Sequence, residues 1–260
     1  MTTQTKPAII GTAVTAWGDA FRAISAMPLV AGIGLVIVIV LSFSSFWLIT
    51  DPYGLATSHW LPVVTLISSA VQGLLLAPLA IAVHRYVLLG EVTDRYPLDP
   101  SNPRYVRFAG FAVLVNILWS LPGTIDGLRL DAAQDSSGTA LLGLASSVIF
   151  IVIIVVVVRR AILFPAIAID APGASWKNAQ RDTKGSSWRV AWIFVCVAVP
   201  AAILGSLLYY VVLQPGINDS SQLVFSLLGA IIEVPAVCAC AAAASHIYRA
   251  RANALEQAAA

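Results

Sequence analysis

Six long runs in this chain are almost free of charge, and they restrict what it can fold into more than any other feature. They are Pro28–Ile49, Leu61–Val83, Phe108–Ile125, Ala140–Val158, Val190–Leu213 and Gln222–Ser245. Each is within or close to the roughly 17–25 apolar residues that a helix needs to cross a ~30 Å hydrocarbon core. In lipid every backbone polar group must be satisfied within the segment, so helix is the viable form even for the β-branched run 148–158. The expected fold is therefore all-α: a polytopic bundle of six spans. Pro122-Gly123 is expected to break or kink the third span near its end. The first run is too long and too far from the N-terminus for a secretory h-region of roughly 7–15 residues, and reads as a span.

Composition agrees. Only 11% of the 260 residues are charged and 59% are hydrophobic, against about 25% charged in an ordinary soluble domain. A net charge of +2 and the absence of an RRM, zinc-finger or helix-turn-helix pattern argue against a nucleic-acid partner. The lipid bilayer is the expected partner, and a protein partner or a second copy of the chain stays open.

Where the basic residues fall sets the orientation. Of 15 Lys and Arg, all but Arg129 lie in residues 1–27, 84–107 and 159–189 or in the tail. By the positive-inside rule those segments are cytoplasmic, both termini included. The expected organisation is residues 1–27 as a cytoplasmic, interfacial segment, 28–245 as the membrane domain and 246–260 as a cytoplasmic tail that continues the last helix before fraying. The expected address is a bacterial inner membrane, crossed many times.

Two further helices look interfacial. Val14, Trp17, Phe21 and Ile24 recur at helical spacing between Gly11 and Met27, with Thr15, Asp19 and Arg22 polar. Ser175–Thr183 reads as the second, with Ser175 as N-cap and Gly185 as the stop. An internal repeat is also visible. Trp17-x-x-Ala20-x-Arg22 matches Trp176-x-x-Ala179-x-Arg181, and each match precedes a pair of spans ending in His84-Arg85-Tyr86 or His246-Ile247-Tyr248. The repeat would be parallel, unlike the inverted repeats common in transporters.

The segments His84–Glu91, Arg159–Ala168, Trp176–Arg189 and Ser245–Arg249 together resemble a bacterial six-span family related to the membrane domain found ahead of some glycerophosphodiester phosphodiesterases. The resemblance is diffuse and carries no catalytic signature. In fused relatives a soluble barrel performs the hydrolysis, and the sequence to Ala260 holds no such barrel. What it implies is a fold and an inner-membrane address.

Chemistry-bearing residues are few. H-E-x-x-H, G-x-S-x-G, P-loop and G-x-G-x-x-G patterns are all missing, so no enzymatic activity, cofactor or metal is expected. Cys196, Cys238 and Cys240 sit in apolar runs and read as small core residues. His84, Arg85, His246 and Arg249 stand where two spans leave the inner leaflet. They read as interfacial anchors or as a paired phosphate site. Glu233 is the one Asp, Glu, Lys, Arg or His inside the six runs. A charged carboxylate at mid-bilayer costs roughly 2.5 kcal/mol or more, so it is expected to face protein or water and to hold a proton. Counted along their spans at 1.5 Å per residue, Gln72, Asn116 and Glu233 share one layer near the midplane.

Two function classes follow. The leading expectation is a non-enzymatic scaffold, assembly or lipid-interacting protein, with the polar layer holding the bundle together. The alternative is a small transporter or channel-like protein using that layer. A water-accessible cavity reaching Glu233 would separate them in favour of the second.

Overall fold

The computed structural model describes residues 8–50, 61–131, 136–212 and 219–257. Among them all regular structure is helical: α1 (Ile9–Ala26), α2 (Pro28–Thr50), α3 (Leu61–Leu89), α4 (Pro103–Asp131), α5 (Ser136–Arg160), α6 (Leu163–Ala168), α7 (Trp176–Asp182), α8 (Ser187–Val212) and α9 (Asp219–Arg251). Five helices, α3, α4, α5, α8 and α9, are long and apolar enough to cross a membrane, and α1 with α2, bent by 103° between them, brings the number to six if the bent pair counts as one span. Large apolar side chains such as Ile67, Leu144, Ile151, Ile203 and Leu207 are exposed along these helices. Water would not tolerate so extensive an apolar surface, whereas lipid covers it. The protein is an all-α polytopic membrane bundle.

Pro122 does not end α4. The helix runs through it to Asp131, and hydroxyls bond carbonyls close to that of Leu118, which the proline leaves without its ladder partner. Ser120 Oγ donates to the Ile117 carbonyl (2.9 Å), Thr124 Oγ1 to that of Ser120 (2.9 Å), and Ser146 Oγ of α5 to that of Pro122 (3.3 Å). Hydroxyls of this kind are how spanning helices tolerate proline. In α3, Pro78 has no N–H for the Leu74 carbonyl, and the Tyr105 hydroxyl donates to it at 3.2 Å.

Packing is concentrated at the arginine-rich end. In α8 the buried residues are Val190, Ile193 and Val197, and no described residue beyond Val197 is buried. In α9 the stretch Cys238–Tyr248 is nearly all buried. Helix α1 lies across this end on an alanine stripe, Ala13, Ala16, Ala20 and Ala23, packed on α9 and α8. The stripe expected to define α1 divides differently. Val14 and Phe21 are exposed, as lipid-facing residues would be. Trp17 is half-buried and donates to the Val197 carbonyl at 3.2 Å. Asp19 faces protein, because His246 Nε2 lies 2.6 Å from its Oδ2.

The last residues of the chain do not fray within the described region. Asp182 accepts the N–H groups of Asn253, Ala254 and Leu255, each at 3.0 Å. Gly173 donates its N–H to the Leu255 carbonyl at 3.0 Å, and Leu255 is fully buried. Ser175 caps α7 as expected, its Oγ accepting the Asn178 N–H at 3.3 Å. Gly185 follows α7 with φ +79°, a left-handed value suited to glycine.

Candidate functional site: an intramembrane cavity on Gln72 and Glu233

Helices α3 and α9 run parallel, and side-chain hydrogen bonds tie them together at three levels. Gln72 Nε2 donates to Glu233 Oε1 at 2.6 Å. Twelve residues further along α3, His84 Nδ1 lies 2.8 Å from Ser245 Oγ. At the arginine-rich end the Arg249 guanidinium reaches the carbonyls of Val87 and Leu88. The first pair joins two of the three residues that depth counting puts in one layer. Asn116 sits in the same layer but does not join it: its Nδ2 donates at 2.9 Å to the Ala112 carbonyl of its own helix.

A cavity of about 550 Å3 opens beside the pair, between α3 and α4 on one side and α8 and α9 on the other. Gln72, Asn116 and Glu233 line one end and His84 the other. Twelve residues of helix separate Gln72 from His84, or about 18 Å at 1.5 Å per residue. The wall between is apolar and small, with Ala77, Ala80, Ala112, Ala236 and Ala241 among its residues, and Phe108, Phe164 and Phe194 add aromatic faces. Two features of local sequence make this space. Alanine-rich stretches of α3 and α9 leave little side-chain volume, and Gly73 lets α3 and α4 approach so closely that a Cβ there would sit 2.9 Å from the Ala112 carbonyl oxygen. Glu233 and Gln72 are each partly buried. Their bond uses Gln72 Nε2 and Glu233 Oε1.

The four residues expected at an inner-leaflet phosphate site are not brought together. His84 is buried inside the bundle beside Ser245 and 5.8 Å, centroid to centroid, from the Phe108 ring. Arg85 is held by Glu91 (NH2–Oε2 2.6 Å) and donates to the Ala168 carbonyl at 2.9 Å. His246 is occupied by Asp19 and Arg249 by the end of α3. Arg107 likewise donates to the Ala174 carbonyl at 2.8 Å. These basic side chains fasten loops and helix ends to one another. The position of His84 inside the cavity wall was not foreseen. Its sequence neighbours Arg85 and Tyr86 read as a membrane boundary, and only the length of α3, which continues to Leu89, puts it indoors.

The fold and site together define a class: a many-spanning helical membrane protein with a half-open, largely apolar cavity that carries one carboxyl group. Comparison with protein-family models, curated proteins and solved structures found no match.

Proposed function

We propose that this protein binds a small molecule within the membrane and passes it across or along the bundle, acting as a small transporter or carrier and not as an enzyme. The observation that carries this reading is the cavity of about 550 Å3 that reaches Glu233. Its size is within the roughly 300–1,000 Å3 of ordinary ligand pockets, which are likewise mostly apolar with a few placed polar groups. A purely structural role for the carboxyl would favour a filled, dry surround with both oxygens bonded.

The location that goes with this function is a bacterial inner membrane, with both termini and the arginine-rich end in the cytoplasm. Support for it comes from the distribution of Lys and Arg and from the sequence resemblance, which assigns an address and no chemistry. Reporter fusions at Ser137 should be active only as outside reporters and at Ser186 only as inside ones.

The cavity itself is tested by thiol accessibility. In a background with Cys196, Cys238 and Cys240 replaced by alanine, Ala236→Cys should react with a membrane-impermeant maleimide from one face of sealed vesicles. A thiol that reacts from neither face, and only after solubilisation in denaturant, would return the protein to the scaffold class.

A further inference from the structure

We propose that the cavity takes a lipophilic monocation, which pairs with Glu233 in exchange for a proton. This rests on the carrier reading above and names the chemistry of its ligand.

Charge complementarity carries the argument. Among the described residues the cavity wall contains one carboxyl and no Lys or Arg. The partner of that carboxyl is the neutral amide of Gln72, which supplies one hydrogen bond to Oε1. A carboxylate taken out of water needs compensation by a proton or by a cation. The protein provides no cation here, so a ligand can. An anionic ligand of the same size would meet Glu233 and find no basic residue. A neutral one would use the apolar wall and leave the carboxyl without a role.

The walls fit the remainder of such a molecule. The rings of Phe108 and Phe164 meet at a tilt, 5.1 Å between centroids, and Trp119 and Phe194 also face the cavity. Aromatic faces attract cations and bury apolar groups together, an effect worth about 0.5–2 kcal/mol at a desolvated site. The exchange balances: one positive charge enters, one proton leaves the carboxyl, and the site's net charge is unchanged.

Few other groups near α9 could take over this exchange. His84 on α3 and Cys240 on α9 are the other titratable residues in the wall, and His84 is already shared with Ser245. Helix α8 brings Cys196, with Arg189 at its start and Tyr209 and Tyr210 toward its far end. Helices α2 and α6 bring none. Asp19 and Arg22 of α1 pair with one another at 2.5 Å, and Asp19 also holds His246.

The test uses the purified full chain in lipid nanodiscs and two probes of matched shape, tetraphenylphosphonium and tetraphenylborate, read by calorimetry in buffers of different ionisation enthalpy. Tetraphenylphosphonium should bind and release about one proton. Where the carboxyl is protonated before binding, affinity should rise about tenfold per pH unit. Tetraphenylborate should bind at least tenfold more weakly. In Glu233→Gln the proton release should vanish and the cation affinity fall at least tenfold, with thermal stability retained. Equal binding of the two probes, or cation binding with no proton release in the wild type, would overturn the proposal even if Glu233→Gln failed to fold. The two readings fail separately. A cavity that labels at Ala236→Cys but ignores the cation leaves the carrier intact with another ligand, whereas a cavity that labels from neither face removes both.

Discussion

Gln72 and Glu233 meet at 2.6 Å across a sequence separation of 161 residues, and the same separation recurs at His84 with Ser245 and at Leu88 with Arg249. Two helices can hold a constant offset over that length only if they are parallel and in register. The repeat seen in the sequence has nearly this period, since Trp17 and Trp176 are offset by 159 and His84 and His246 by 162. Helix starts agree, with α2 beginning at Pro28 and α8 at Ser187. The Gln72–Glu233 bond therefore lies within two residues of the register that the sequence matches give. The matched segments differ in their surroundings: α1 packs on α8 and α9, while the shorter α7 packs on α5.

That correspondence predicts that the pair can be exchanged. Gln72→Glu combined with Glu233→Gln should melt close to wild type in detergent, because the bond is remade with donor and acceptor reversed. Glu233→Leu should lose on the order of 1–2 kcal/mol by stranding the amide. Glu233→Gln alone should lose little, since an amide keeps the shape and can still accept. A double exchange no more stable than Glu233→Leu would show that the two helices do not treat the positions as equivalent.

A second prediction concerns Gly73. A methyl group there would lie 2.9 Å from the Ala112 carbonyl oxygen and 3.0 Å from Val113 Cα, both backbone atoms that cannot swing aside. Gly73→Ala should push α3 from α4 and cost roughly 1–3 kcal/mol. Gly110→Ala and Gly229→Ala, where nothing lies within 4 Å, should be neutral or slightly stabilising by helix propensity. Comparable melting of all three variants would mean that the α3–α4 contact is looser than described.

These two cases mark what could be read from the sequence. Span positions follow from unbroken apolar runs, which report burial in lipid directly, and the Gln72–Glu233 layer follows from counting helical rise. Asn116 was placed at the right depth but with no partner, because depth says nothing of rotation about the helix axis. The arginines were legible as an end of the bundle and not as clamps, since their acceptors are loop carbonyls that any residue type supplies. The cavity was illegible for a related reason. It is made by alanines and glycines, which in one dimension look the same whether neighbouring helices close on them or stand apart. For α1, the large residues drew attention to the lipid-facing side while alanines made the protein contact.

The folded C-terminal segment gives a third prediction. One carboxylate, Asp182, gathers three backbone N–H groups of residues 253–255, and Asn178 Nδ2 adds bonds to the carbonyls of Gly173 (2.9 Å) and Ala254 (3.2 Å). Asp182→Ala should release this segment and make Arg251 a site of tryptic cleavage, with a loss of roughly 1–3 kcal/mol. Gly173→Ala should act similarly, because its Cβ would overlap the carbonyl oxygens of Ala254 and Gln257. Arg251 remaining resistant in Asp182→Ala would show that buried Leu255 suffices to hold the segment.

The last prediction concerns Tyr96, in the segment that folds back from α3 toward the bundle. Its hydroxyl donates to the Leu75 carbonyl at 2.7 Å, one residue from the Leu74 carbonyl that Pro78 leaves free and that Tyr105 takes. The two tyrosines thus bond the carbonyls of adjacent residues just before the proline, where α3 is weakest. Burial pushes the Tyr96 hydroxyl above its ordinary value of 10.0, opposed by a bond to the Leu79 backbone. A raised value means that the folded state favours the protonated form. Its contribution is therefore complete below about pH 10, the usual tyrosine value, and is lost as pH rises through the folded one. Tyr96→Phe should melt lower than wild type at pH 8, by roughly 1 kcal/mol for the missing hydrogen bond. Between pH 10 and 11 the difference should shrink, as the wild type loses what the variant never had. A difference that stays constant over pH 8 to 11 would mean that Tyr96 does not ionise on unfolding in this range, and that its bond to Leu75 is not what holds the segment against α3.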